Sequence, residues 1–384
     1  MKRIYPFMFY LVYYAGGVFI QPFVVVYFQE LGFNGAQIGF LAGMTPLVFM
    51  LGAPLWTGLA DSYNRHKLIM SVTIIVSVLV ASLFPLVKSF LPIIPLVILY
   101  ALFAAPITSL ADSATMTMLA SEKGMYGRVR LGGTIGWGLV APLAGLIIQA
   151  YGIRWAFWGF SAIMVINFFI SQKFTYAQKP KQESVLRDMR LVIADRRWII
   201  FLAMAFIGGI AFTVMNSFLF PYMDELNISK TTMEIALTIA TISELPILFF
   251  ANYLLKRIQA RDLIVLAMLI TGLRMILYGV LNFQTGILVF QLLNGLTYPL
   301  FWVAGVSYAN EISPEGMKAT AQGLFGATVF GFGAAAGGLA GGLLLGGIGG
   351  QGLFLSAGGF VLVSVLAITL VERSQRTPRL QSLS

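Results

Sequence analysis

Twelve apolar runs, most of them at least a membrane-spanning helix long, divide this chain of 384 residues. They fall near 5–28, 36–60, 67–87, 92–119, 129–149, 154–172, 199–223, 232–254, 262–281, 285–310, 318–345 and 350–371. A helix needs ~20 apolar residues to cross ~30 Å of hydrocarbon. Inside lipid every backbone polar group must find its partner within the chain, so only helices and closed barrels can span it. Barrel strands would alternate apolar and polar residues, and these runs do not. Charged residues make up 10% of the chain, where a soluble protein carries ~25%. The expectation is an all-α integral membrane protein of 12 transmembrane helices.

The basic residues set the orientation. With twelve spans both termini share one side, and that side holds 21 of the 25 Lys and Arg. The other side holds Lys88, Arg154 and Lys230, and Arg274 falls within a span. The positive-inside rule then places both termini and the 173–198 loop in the cytoplasm, in a cell inner membrane. This asymmetry accounts for the net charge of +10 without a nucleic-acid partner. The start, "MKRIYPFMFYLVYY", stays apolar through Phe28 with no small-residue cleavage site, so it reads as a retained first span. The loop divides the chain into a six-helix half at 1–175, a linker at 176–198, a second six-helix half at 199–372 and a tail at 373–384. Within the linker, "VLRDMRLVIADRRW" reads as a short amphipathic helix on the membrane surface. There is no Cys, which excludes disulfides and thiolate sites. The single His, His66, has no companion ligands. No cofactor and no enzymatic chemistry are expected, and a membrane enzyme or sensor is the remote alternative.

The two halves carry a short repeat, "SEKGM" at Ser121–Met125 and "SPEGM" at Ser313–Met317. Between the second and third spans runs "TGLADSYNRHK", Thr57 to Lys67. It resembles the loop of the major facilitator superfamily, G-x-L-A-D-R-x-G-R-K/R, at Leu59, Ala60, Asp61 and Arg65. Thr57 and Asn64 stand where the family has glycines, and Asn tolerates a left-handed turn. The resemblance implies the major facilitator fold, two six-helix halves with a site between them. It also makes Asp61 and Arg65 a gating loop, with a fixed Asp61 contact closing the cytoplasmic side. An ordinary charged loop is the plainer reading.

The stretch "YGRVRLGGTIGW", Tyr126 to Trp137, opens the fifth span. It is similar to the lactose permease branch of that superfamily and to its nucleoside and phenylpropionate relatives. The shared pattern is Gly127, Arg128, Arg130, Gly133, Gly136 and Trp137. Eighteen residues before Arg130 comes Asp112, where the sugar permeases carry a carboxylate. A buried carboxylate needs a partner, and Arg130 can reach it. The resemblance implies that this pair holds substrate hydroxyls and that Trp137 stacks on a ring. The alternative is a structural bridge with Trp137 facing lipid.

Two further charges lie deep in the second half. Glu244 is twelve residues before Lys256, and Arg274 is twelve after Asp262. In an antiparallel hairpin they share a depth, and an intramembrane ionisable pair is a functional hypothesis. Glu244 is the candidate proton carrier and Arg274 its partner; a permanent salt bridge is the alternative. The lactose permease has a His and a Glu on its tenth helix where this chain has Asn294 and Thr297. The seventh span also lacks that permease's acidic residues, so lactose is not the expected substrate. Asn294, Tyr298 and Trp302 are candidate cavity residues, with Gln21, Asn216 and Gln291 more often helix-packing. Gly35, Gly39 and Gly43 line one face of the second span, and Gly333, Gly337 and Gly341 one face of the eleventh. They allow close helix approach, either between rocking halves or within one. The expected task is proton-coupled uptake of a small polar solute, a sugar, nucleoside or aromatic acid, by a monomer. Its partners are then the solute, protons and the lipid bilayer. A half-match of "WGLVAPLAGL" to the drug-exporter motif keeps proton-driven export as the alternative.

Overall fold

The computed structural model describes residues 4–176, 196–314 and 317–381. Among them every regular element is helical. The amphipathic helix expected in the linker falls on 177–195, outside the described residues.

The first half holds α1 (Ile4–Ile20), α2 (Val24–Glu30), α3 (Gly35–Tyr63), α4 (His66–Leu83), α5 (Phe90–Leu119), α6 (Tyr126–Tyr151) and α7 (Trp155–Ser171). The second holds α8 (Arg196–Glu225), α9 (Lys230–Arg257), α10 (Ala260–Val280), α11 (Gln284–Phe290), α12 (Tyr298–Ile312), α13 (Lys318–Ala327) and α14 (Ala334–Gln381). Among the described residues ten stretches are long and apolar enough to cross a membrane. The last, Thr320–Leu370, has 51 residues and breaks at Gly349, where φ is +69°, so it crosses twice. With α7, a shorter apolar helix of 17 residues, the crossings number twelve, as the sequence predicts.

Two spans are interrupted at mid-depth. The first turns at Gln21–Phe23 between α1 and α2. The tenth, expected as one helix over 285–310, tightens into a 3-10 stretch at Gln291–Leu296 and restarts at Tyr298. Pro299 sits in the first turn of α12, where its missing N–H costs nothing. Unwound backbone at membrane depth persists where protein or a cavity covers it.

The ends of the bundle differ. The end with Ile4, Asp61 and Arg196 is called near, the other far. At the far end α3 and α14 touch backbone to backbone. A Cβ on Gly35 would strike Gly346, and one on Gly39 would lie 2.7 Å from the Leu339 carbonyl. The glycine face of the eleventh span that meets α3 is Gly338, Gly342 and Gly346. The expected face is a different one: Gly333, Gly337 and Gly341 pack on Gly209, Ile210 and Phe218 of α8, within their own half. The span has small residues at adjacent positions, so it offers two close-packing faces. Lys230 adds a polar tie. Its ammonium meets Asp224 and, at 3.8 Å, Glu30, while its N–H donates to Gln149 at 2.8 Å. At the near end the same two spans stand apart, and a Cβ on Gly58 or Gly323 would meet nothing within 4 Å.

Candidate functional site

Between the halves lies a cavity of about 440 Å³, walled by α1, α6, α8, α9, α10 and the interrupted tenth span. Behind its first-half wall stands Asp112 of α5. Arg130 Nη1 donates to Asp112 Oδ1 at 3.0 Å and Oδ2 at 3.2 Å. The Tyr10 hydroxyl also donates to Oδ1, as does Tyr126 at 2.9 Å. Arg130 Nη2 donates to the Tyr14 hydroxyl at 3.3 Å, and the guanidinium carbon lies 5.7 Å from the Tyr10 ring. Arg130 reaches the cavity and Asp112 stands behind it. The glycines of α6 make this possible. Gly132 and Gly136 lie against the Phe7 and Leu11 carbonyls, bringing α1 close, and Gly133 leaves room for the Tyr14 ring. Trp137, two turns beyond Arg130, lines the same cavity beside Tyr14 at 6.5 Å between rings. It faces the cavity, not lipid.

The second-half wall centres on Arg274, which is 2% exposed. Its Nε donates to Tyr278 at 2.9 Å, its Nη1 to Asn294 at 2.8 Å and Thr297 at 3.2 Å, and its Nη2 to Gln291. Glu244 does not touch it. Asn294 stands between them, accepting from Arg274 and donating Nδ2 to Glu244 Oε1 at 2.7 Å. The expected Glu244–Arg274 pair is therefore bridged by an amide, because the break in the tenth span drives Asn294 between α9 and α10. Glu244, Asn294, Gln291, Tyr298, Gln21 and Asn216 all line the cavity. Tyr298 stacks on Phe212 at 4.1 Å. Trp302 continues that stack against Phe325 and Phe330 and lies outside the lining.

The loop expected to gate is elsewhere, at the near end. Asn64 caps α3 in the left-handed region with φ 52°, as its residue type suggests. Asp61 Oδ1 and His66 Nε2 are 2.8 Å apart, and Arg65 is exposed. His66 is buried and stacks on Tyr176 at 5.2 Å; burial pushes the Tyr176 phenol up, so it stays neutral. The sequence does not single out the tyrosine shell of Tyr10, Tyr14 and Tyr126. The only hint is the four-residue spacing that puts Tyr10 with Tyr14, and Tyr126 with Arg130, on one helix face.

The arrangement is a closed ceiling over a central cavity, with a charged pair on one wall, a bridged pair on the other and aromatic rings between. A solute with hydroxyls and a ring face fits such walls. The model of the MFS_1 like family matches residues 7–356. The maltose permease of Geobacillus stearothermophilus is 26% identical over 380 residues, covering 98% of this chain and 96% of the relative. A putative nucleoside transporter of Escherichia coli K12, YegT, is 22% identical over 356 residues, covering 88% and 83%. The crystal structure of the nucleoside transporter NupG superposes with a TM-score of 0.86 at 16% identity, covering 96% of this chain and 98% of that one.

Proposed function

The chain belongs to the MFS_1 like family of membrane transporters, and from that premise we propose that it takes up a small polar solute by proton symport. The solute is a sugar or nucleoside, with an aromatic acid as the variant that would use the arginines most. The observation that carries this is one cavity shared by both halves, with Arg130 and Trp137 on one side and Glu244, Arg274 and Asn294 on the other. A site held by both halves is what alternating access acts on. Arg130, oriented by Asp112, meets substrate oxygen, and Trp137 offers a ring face. Asn294 and Tyr298 bind from the facing wall, and Trp302 backs Tyr298. Glu244 carries the proton, with Arg274 tuning it through Asn294. The protein works as a monomer in an inner membrane with both termini cytoplasmic. In that orientation the closed far end is periplasmic and the structure faces inward.

The test uses sealed proteoliposomes with a pH dye inside. Pools of sugars, nucleosides, aromatic acids and cationic drugs are added outside in turn. Internal acidification with one of the first three pools is the expected result. Alkalinisation on adding the drug pool means antiport and replaces uptake with export. In the same vesicles Glu244→Gln keeps the oxygen that accepts from Asn294 but loses the charge. It is expected to abolish accumulation against a gradient and spare exchange. Accumulation that survives removes Glu244 as carrier.

A further inference from the structure

One carboxyl group has no role in the cavity. Glu234 lies on α9, ten residues before Glu244, so ~15 Å away along the helix. It is 0% exposed, and both side-chain oxygens are buried without a hydrogen-bond partner among the described residues. It sits in the seam where the two halves meet through α6 and α9. A Cβ on Gly145 would lie 3.0 Å from Glu234 Cγ and 2.9 Å from the Lys230 carbonyl. The seam continues on both sides of it: Lys230 N–H donates to Gln149, and Thr238 Oγ1 donates to the Gly138 carbonyl at 3.4 Å.

The charges around it offer no compensation. Its own helix carries Lys230, whose ammonium is engaged by Asp224 of α8 and Glu30 of α2. Glu225 of α8 accepts from the Gly350 N–H at 2.7 Å. The face of α6 presents Gly138, Ala141, Gly145 and Gln149, none titratable. The 291–296 stretch and α11 bring no titratable side chain to α9, and α12 brings Tyr298 at the level of the cavity. An ionised carboxylate buried without a partner is far costlier than the neutral acid. When the halves part at the far end the same group meets water, where the ionised form is favoured.

We propose that Glu234 is a proton-binding site in the α6–α9 seam, and that the far end closes only when its carboxyl is protonated. The inference rests on the alternating-access reading above. It adds a second proton site, on the gate and apart from the cavity. The sign follows from linkage: the closed state binds the extra proton, so acid favours closure and alkali favours opening.

The chain has no Cys, so labels can be placed at will. Ser89→Cys and Asn282→Cys put spin labels on exposed far-end loops of opposite halves. Distances are measured in nanodiscs from about pH 5 to pH 9, with and without the solute pool that gives proton flux. The closed-to-open ratio is expected to fall with rising pH by up to about tenfold per unit, the limit for one proton. Glu234→Gln is expected to hold the far end closed at every pH, and Glu234→Leu to do the same should the amide fold poorly. In the Glu244→Gln background, where the cavity carboxyl no longer titrates, a pH response is expected to remain and Glu234→Gln to remove it. An unchanged response in the Glu234 variants overturns the proposal, as does a parent protein that opens with solute but ignores pH. A distance that stays closed in every sample overturns the rocking of the halves along with it.

Discussion

Asp112 joins three elements at one point, since Tyr10 of α1 and Tyr126 and Arg130 of α6 all donate to its Oδ1. Hydrogen bonds that involve a charged partner, such as the Arg130 guanidinium, are the strong ones. Asp112→Asn keeps the shape and removes the charge, leaving Arg130 without its counter-ion. Each lost charged hydrogen bond is worth about 1.5–3 kcal/mol, so uptake is expected to fall by roughly ten- to a hundredfold. Initial rates in proteoliposomes measure it, and a rate within twofold of the parent would reduce the pair to a structural bridge. The pair was legible because Asp112, eighteen residues before Arg130, stands where the resemblance to the sugar permeases implies a carboxylate, and a buried carboxylate needs a partner. The bridge on the other wall was not. Counting residues placed Glu244 and Arg274 at one depth, but nothing in the sequence places Asn294 between them. Asn294→Ala removes the bond each of them makes to that amide. It is expected to cost about 1–3 kcal/mol of stability, read as a lower melting temperature in detergent, and to leave the Asp112 wall intact.

At the scale of elements, glycine does two different jobs that look alike in sequence. On α6 it brings α1 within reach, so that two tyrosines of α1 meet Arg130 and Asp112. On the eleventh span one glycine face fixes α14 to α8 within a half, and the next face forms the seam with α3. A run with small residues at almost every position has no single period, so the sequence could not say which face does which. The structure separates them, and the consequence is measurable. A Cβ on Gly342 would strike the Gly39 backbone. Gly342→Ala is therefore expected to wedge the far end open, lengthening the distance between spin labels at Ser89→Cys and Asn282→Cys. Gly341→Ala meets Phe218 inside one half and is expected to lower thermal stability without changing that distance. Gly347→Ala meets nothing within 4 Å and serves as the neutral control. Equal distances in all three would mean that the seam gives way locally and the halves do not depend on it. The break at Gln291–Leu296 was hidden for a related reason. Its residues are apolar enough to sit inside one hydropathy window, and only Pro299 marks the restart of α12.

At the scale of the whole molecule, twelve helical crossings followed from lipid physics, because hydrocarbon leaves a chain of this composition few folds; the two halves followed from the long central loop, the short repeat and the family resemblance. The state of the molecule did not follow, since both ends of α3 and of the eleventh span carry small residues. In the structure the far ends touch and the near ends do not. Gly58 and Gly323 face open space beside a loop whose Asp61 is held by His66. If the halves rock about the cavity, near and far ends exchange roles, and Gly58 and Gly323 approach when the far end opens. A disulfide requires close Cβ atoms, ~3.5–4.5 Å apart, and a Cβ at either Gly58 or Gly323 meets nothing within 4 Å, so Gly58→Cys with Gly323→Cys is expected to link only when the near ends approach. The link is expected to form slowly under mild oxidant, faster with solute or with Gly342→Ala, and to stop transport until reductant is added. A link that forms at once would place the near ends together from the start. A link that forms but leaves transport running would mean that solute crosses without the near end reopening, and rocking of the halves would be the wrong mechanism.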